Sequence, residues 1–154
     1  MKTKLLIAFL ILCGISNNQV NAQISFEKFY GGANRDDGFS VKQTSDSGYI
    51  ILGTTVTNIP DIGSLYVIRT DKFGDTLWTK MYGDSLTYVW GNGFHIEESS
   101  NKSFLLFGSL NEKMAFMKID SLGNILWTKI YSDGTCGWSF MQTKDKGFIL
   151  SGGY

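Results

Sequence analysis

The chain has 154 residues, and its fourteen Lys and Arg residues balance fourteen Asp and Glu residues, so the formal net charge is zero. This balance excludes the basic surface by which proteins bind nucleic acids or anionic lipids. Aromatic residues make up 14% of the chain, and eighteen glycines stand against a single proline, a composition that favours strands joined by tight turns.

Residues 1–22 have the layout of a secretory signal peptide. Lys2 and Lys4 precede an apolar run from Leu5 to Ile15, and small residues end the segment at Ala22. The run is too short for a transmembrane helix, which needs about 20 residues; a retained interfacial anchor is the alternative. We therefore expect an exported protein, secreted or held in the cell envelope, with no membrane contact after signal cleavage.

Removal of this segment deletes two lysines, so twelve basic residues face fourteen acidic ones in the mature chain. One cysteine of two, Cys136, remains. A disulfide framework needs pairs of cysteines, so we predict a partly buried, apolar role for this thiol. Neither nucleic acid nor membrane is expected as a partner of the mature chain.

The mature chain repeats a unit of about 50 residues, a period typical of repeat folds. Leu65–Gly83 and Met114–Ser132 agree at seven of nineteen positions. A second shared stretch occurs three times, at Gly38–Gly53, Gly93–Gly108 and Gly137–Gly152. We therefore predict two complete units and a truncated third, with boundaries near 26–77, 78–126 and 127–154.

Eleven strands are predicted, beginning with a single strand at Phe26–Tyr30. Each unit then contains strands that we name a to d. Strand a alternates apolar and polar residues, as a half-exposed strand does, whereas strands b and c are apolar on both faces. The predicted ranges are a, 38–44, 93–99 and 137–143; b, Tyr49–Leu52, Phe104–Phe107 and Phe148–Leu150; c, Leu65–Thr70 and Met114–Ile119; d, beginning at Trp78 and Trp127.

Two kinds of turn punctuate the units. In the a–b turn, Ser45–Gly48 in the first unit, we expect the aspartate to cap its own backbone and Gly48 to take a positive φ. The c–d turn has the pattern Asp-x-x-Gly, at Asp71–Gly74 and Asp120–Gly123. Both turns keep their length from one unit to the next.

A strand that is apolar on both faces must be covered on both faces, and one four-stranded sheet cannot cover itself. Neighbouring copies must therefore stack, as the four-stranded blades of a β-propeller do. A β-solenoid is less favoured, because its rungs are usually shorter. The tryptophans that begin strand d are then expected to pack between blades rather than contact a ligand.

The pattern Asp-x-x-Gly-x-x-x-Trp-Thr-Lys-x-Tyr-Gly followed by Asp-x-Gly-Tyr-Ile-Ile-Leu-Gly resembles exported bacterial β-propeller-type repeat proteins that usually carry a C-terminal sorting domain. The resemblance covers Phe26 to Gly153 and implies no catalytic residue. The chain departs from the pattern in having no sorting domain and fewer units than the four or more of a closed propeller. We predict an all-β fold: a partial β-propeller-like array of four-stranded antiparallel blades, two complete, one half, and an N-terminal orphan strand.

The sequence ends at the end of a strand b, which favours a fragment of a longer protein over a complete small one. A complete chain would leave open blade faces. Exposed apolar faces and unpaired strand edges of this kind predict self-association.

Insertions mark one face of this array. Six extra residues lie between Gly53 and Leu65 relative to Gly108–Met114, and three lie between Tyr82 and Gly93 relative to Tyr30–Gly38. In an up-and-down blade the b–c and d–a connections leave from the same face, so residues 54–64 and 84–92 form the candidate binding face. Within it Tyr88 and Trp90 are the candidate ligand-binding residues, since aromatic side chains stack on sugars or anchor interfaces; the alternative is that they cover a blade edge.

The inventory of catalytic residues is thin. His95 is the only histidine, and alternation places it on strand a as a surface or inter-blade hydrogen-bonding residue. The adjacent carboxylates Asp36-Asp37 and Glu97-Glu98 should face opposite ways, unlike the paired carboxyls of a glycosidase. No metal-ligand spacing is present, and we expect no metal and no cofactor.

These observations predict a non-enzymatic exported propeller-repeat module that binds a glycan or a cell-surface protein through the b–c and d–a loop face. The alternative is an incomplete part of a polysaccharide-acting propeller enzyme, whose acid and base lie in blades outside this chain. No catalytic residue is predicted.

Overall fold

The computed structural model describes residues 25–33, 35–56, 63–83 and 94–153. The predicted signal peptide and most of the two predicted site loops lie outside these residues. Within them, no helix has the length and apolar character that a membrane span requires.

Ten β-strands and no helix form the described part of the chain. In order they are β1 Asp36–Gln43, β2 Tyr49–Val56, β3 Gly63–Thr70, β4 Thr76–Tyr82, β5 His95–Glu98, β6 Phe104–Leu110, β7 Lys113–Ile119, β8 Ile125–Tyr131, β9 Cys136–Gln142 and β10 Phe148–Gly153. Strands β1–β4 form one four-stranded sheet and β5–β8 a second, while β9 and β10 form a hairpin. All pairings are antiparallel between consecutive strands. The prediction of an all-β fold with four-stranded antiparallel units is confirmed.

The second sheet is covered on both of its faces. One face packs on the first sheet, in a core made of buried side chains from both: Ile50, Leu52, Leu65, Val67, Tyr82, Phe94, Ile96, Phe104, Leu106, Met117 and Ile119. The opposite face supplies Leu105, Phe107 and Phe116, which pack with Phe140 of the β9–β10 hairpin. Successive residues of β6 therefore enter different cores, which is why this strand is apolar throughout.

The c–d turns are built alike in both sheets. Asp71 Oδ1 accepts hydrogen bonds from the backbone N–H groups of Phe73 and Asp75, and Asp120 Oδ1 accepts the corresponding pair from Leu122 and Asn124. The turn glycines, Gly74 and Gly123, have φ values of 80° and 81°. A left-handed conformation of this kind favours glycine.

These turns also join neighbouring sheets. The Tyr82 hydroxyl of β4 donates a 2.7 Å hydrogen bond to the Gly123 carbonyl of the second sheet, and Trp78 Nε1 donates to the Ser121 carbonyl at 3.1 Å. The aliphatic stem of Lys80 lies against Gly123 between these two contacts. A ring, a lysine and a tyrosine at alternate positions of one strand thus hold the turn of the next sheet.

The segment Phe26–Tyr30 repeats this contact one sheet earlier. The Tyr30 hydroxyl donates to the Gly74 carbonyl at 2.8 Å, Lys28 pairs with Asp75 at 2.8 Å, and the Phe26 ring lies against Gly74. However, the predicted strand here is wrong, because residues 25–32 form no strand. A strand needs ladder hydrogen bonds to a neighbour, and the described chain places none beside this segment.

The expected glycine conformation in the a–b turn is also wrong. The positive φ lies one residue earlier, at Ser47, Lys102 and Lys146 in the three units. Gly48 is required for space instead, since a Cβ there would collide with the Thr70 carbonyl and the Arg69 guanidinium. The second unit has Lys118 in place of Arg69, and Ser103 occupies the glycine position.

Arg69 is buried, and its guanidinium donates to both carboxylate oxygens of Asp46 at 2.6 Å. Hydrogen bonds from the Thr44 hydroxyl and the Gly48 N–H, together with Arg69, outweigh the effect of burial and lower the pKa of Asp46 to about 2. This ion pair ties the a–b turn to strand β3.

We predict that Gly123→Ala lowers the free energy of unfolding by about 1–3 kcal/mol, because a non-glycine residue at this φ is strained. In addition, its Cβ would approach Lys80 Cγ at 2.8 Å and the Trp78 ring at 3.1 Å. Chemical denaturation followed by tryptophan fluorescence measures the loss.

Gly32→Ala is the matched control, since no atom lies within 4 Å of its Cβ position. Equal stability of the two variants would show that the c–d turn does not hold the sheets together.

Candidate functional site

The predicted ligand-binding residues, Tyr88 and Trp90, lie outside the described residues, so their role stays a prediction. The structure does describe where the surrounding connections begin and end. Val56 pairs with Gly63 at the ends of β2 and β3, and Tyr82 pairs with Leu65 at the end of β4. Both long connections of the first sheet therefore start at the same end of its strands, as antiparallel pairing requires.

The corresponding b–c connection of the second sheet is short. Asn111 and Glu112 connect β6 to β7 and have φ values of 51° and 57°, the pattern of a two-residue type I′ hairpin turn. At this end of the strands, one sheet thus has a two-residue turn and the other a long connection. Among the connections whose ends the structure describes, only those at this end differ in length from sheet to sheet.

Strands β1 and β5 lie beside one another and run in the same direction. Ser40 Oγ accepts a hydrogen bond from the Ile96 N–H, Lys42 pairs with Glu97 at 2.7 Å, and Ser45 donates two hydrogen bonds to the Glu98 carboxylate. Contacts therefore advance together along both strands. The N-terminal ends of these two strands consequently lie at the same end of the stack.

A polar cluster crosses the edge strands of all three sheets. It consists of Lys42 on β1, His95 and Glu97 on β5, and Ser139 on β9. His95 Nδ1 lies 2.8 Å from Ser139 Oγ, and Nε2 lies 2.8 Å from Glu97 Oε1. The Phe140 N–H also donates to Nδ1 at 3.4 Å, so Nδ1 is the acceptor and Nε2 carries the proton of the neutral ring.

The cluster has the character of a structural link rather than a catalytic base. Burial raises the pKa of Glu97, but hydrogen bonds from Lys42 and His95 outweigh it, and the net pKa lies below the ordinary value. A general base works best with a pKa near the operating pH. A carboxylate held ionised by two partners is a poor proton acceptor.

His95, expected either at the surface or between neighbouring repeats, hydrogen-bonds with Ser139 of the neighbouring hairpin. Glu97 and Glu98 were expected to face opposite ways, yet both reach the first sheet, because Glu98 ends β5 and meets the a–b turn at Ser45. Trp138 on β9 is 52% exposed.

Among the described residues, no group of three or more His, Cys, Asp or Glu side chains is arranged to hold a metal ion. Cys136 is a free, half-buried thiol. The chain matches no protein-family model and no curated protein sequence.

We predict that Glu97→Gln lowers the stability at neutral pH by about 0.5–1 kcal/mol, a value that allows for the partial exposure of the carboxylate. Because the folded pKa is depressed, the contribution of Glu97 is fully present above its ordinary pKa of 4.5 and is lost as the pH falls through the folded value. The variant should therefore lose less stability than the wild type as the pH falls from neutral to below the ordinary pKa of 4.5. Urea denaturation across this range measures both effects.

Glu112→Gln is the control, since this exposed carboxylate makes no ion pair among the described residues. An unchanged pH profile for Glu97→Gln would mean that the cluster does not couple the sheets.

Proposed function

We propose that this protein is an exported, non-enzymatic module, built of successive blades of a β-propeller, that binds a glycan or another protein through the face carrying the b–c and d–a connections. One observation carries the proposal. The b–c and d–a connections, at one end of the strands, differ in length from sheet to sheet. The a–b and c–d turns, at the opposite end, are uniform in length and hydrogen-bonded alike. Variable loops on a rigid scaffold are where binding residues usually lie.

The stacking of the sheets supports the propeller arrangement. Each sheet is a separate meander, and the sheets pack face to face in chain order rather than continuing one barrel wall. Strands a of adjacent sheets, β1 and β5, run side by side in one direction. Innermost strands arranged around a common axis have this relationship in a propeller.

Five of the described carboxylates have structural partners, and their engagement favours binding over catalysis. Glu97 pairs with Lys42, Asp46 with Arg69, and Asp75 with Lys28. Asp71 and Asp120 are hydrogen-bonded within their own turns. These carboxylates have structural partners that account for them.

The proposal is tested by screening the chain without residues 1–22 on a glycan array and against cell-envelope extracts. We expect Tyr88→Ala and Trp90→Ala each to weaken the binding of a ligand found in this way by at least about tenfold, the effect of losing an aromatic anchor. Isothermal titration calorimetry measures the affinities.

Phe73→Ala is the matched control. Phe73 is 50% exposed but lies in the c–d turn, at the end of the strands opposite to the b–c and d–a connections. Unchanged binding by both aromatic variants, or equal weakening by Phe73→Ala, would contradict the proposed face.

A further inference from the structure

We infer that the outer face of β8, together with the free edge of β10, is a docking site for a β-hairpin closed by an Asp-x-x-Gly turn. This site is separate from the loop face proposed above and does not depend on it.

The inference starts from a contact that the structure makes twice. Tyr30 and Tyr82 each donate a hydrogen bond to the carbonyl of a turn glycine, Gly74 and Gly123 respectively. In both cases a ring four residues earlier and a lysine two residues earlier cover the same glycine. The ring–Lys–Tyr set is therefore a receptor for one kind of turn.

A third copy of this set lies on β8 without such a turn against it in the described part of the chain. It consists of Trp127, Lys129 and Tyr131. Trp127 is 39% exposed, and its ring packs edge-on against Phe116 with centroids 5.3 Å apart. Lys129 Nζ lies 5.0 Å from the centre of the Tyr131 ring. No hydrogen bond of the Tyr131 hydroxyl occurs among the described residues.

A groove of about 540 Å³ runs beside this set. Its lining comes from β7, β8 and β10: Phe116, Trp127, Thr128, Lys129, Tyr131, Phe148 and Leu150. The equivalent residues between the first and second sheets include Val67, Tyr82, Phe104 and Leu106, and there the space is filled by two side chains of strand β7, Met117 and Ile119. These two are 3% and 0% exposed, so the filled version of the groove is a closed core.

The strand beside the groove offers main-chain hydrogen bonds as well. Within the described residues β10 pairs with β9 alone, whereas its equivalent in the second sheet, β6, pairs with a strand on each side. An extended segment can add to such an edge. A strand added to β10 would place its following turn over Trp127, Lys129 and Tyr131, as β7 does beside β6.

Together these features specify the occupant. It is a β-hairpin whose first strand carries apolar residues three positions and one position before the aspartate of an Asp-x-x-Gly turn, as Met117 and Ile119 precede Asp120. A second copy of this chain is a poor source, since both of its Asp-x-x-Gly turns are already held, one by Tyr30 and one by Tyr82. The occupant is therefore an Asp-x-x-Gly hairpin other than these two.

The test uses the chain without residues 1–22 and a synthetic peptide of residues 113–131, cyclised so that its hairpin is formed in advance. We expect the peptide to bind with a stoichiometry of one by calorimetry. Trp127→Ala in the chain should weaken binding more than tenfold, and Tyr131→Phe, which removes only the hydroxyl, roughly two- to tenfold. Tyr82→Phe, whose hydroxyl is used inside the molecule, should leave the affinity unchanged.

A peptide carrying Gly123→Ala should lose at least tenfold in affinity, because its turn cannot adopt the required φ without strain. Equal binding of this peptide, or binding that ignores Trp127→Ala and Tyr131→Phe in chains shown to be folded by thermal denaturation, overturns the inference. Sedimentation velocity of the chain alone tests the other occupant. A dimer that Trp127→Ala abolishes would show that a second copy covers the face, and this also overturns the inference.

Discussion

Strand β6 presents large apolar side chains to both sides of its sheet, and a sheet of four short strands has no means of covering either side by itself. Phe104 and Leu106 enter one core, while Leu105 and Phe107 enter the other. Burial of apolar surface is the main favourable term in folding, so this strand forces its sheet to lie between two others. The stacked architecture follows from that requirement, and the order of the stack follows from the order of the repeats.

Apolar burial alone does not orient one sheet on the next, because it has no direction. Polar contacts along the two edge strands of each sheet supply the orientation. At one edge strand the Lys42–Glu97–His95–Ser139 cluster joins β1, β5 and β9, and at the other edge strand Tyr82 and Trp78 hold the c–d turn of the next sheet. With contacts fixed at both margins, the sheets have one way to pack.

Much of the fold could be predicted from the sequence, and the reasons are physical. Period-2 alternation and the 49-residue repeat predicted the strands and the four-stranded units, because each unit repeats the same pattern of apolar residues and turn residues. The positive φ of Ser47 could not be predicted in this way, since the same turn position takes a positive φ in all three units with a non-glycine residue each time, Ser47, Lys102 and Lys146. Nor could the exposure of Trp138, which depends on what covers β9. The same holds for Phe26–Tyr30, which forms no strand because no described segment pairs with it. The candidate ligand residues, Tyr88 and Trp90, rest on loop length alone.

The connections at the two ends of the strands are therefore under different constraints. Every c–d turn must keep an Asp-x-x-Gly sequence and one length, because the carbonyl of its glycine is the acceptor for a tyrosine of the neighbouring sheet. The b–c connection keeps no fixed length, and it ranges from the two-residue turn at Asn111–Glu112 to the longer segment between Val56 and Gly63. A change in the length of a c–d turn would separate two sheets, whereas a change in the length of a b–c connection leaves the stack intact. Variation in this molecule is thereby directed to the face where binding residues are proposed.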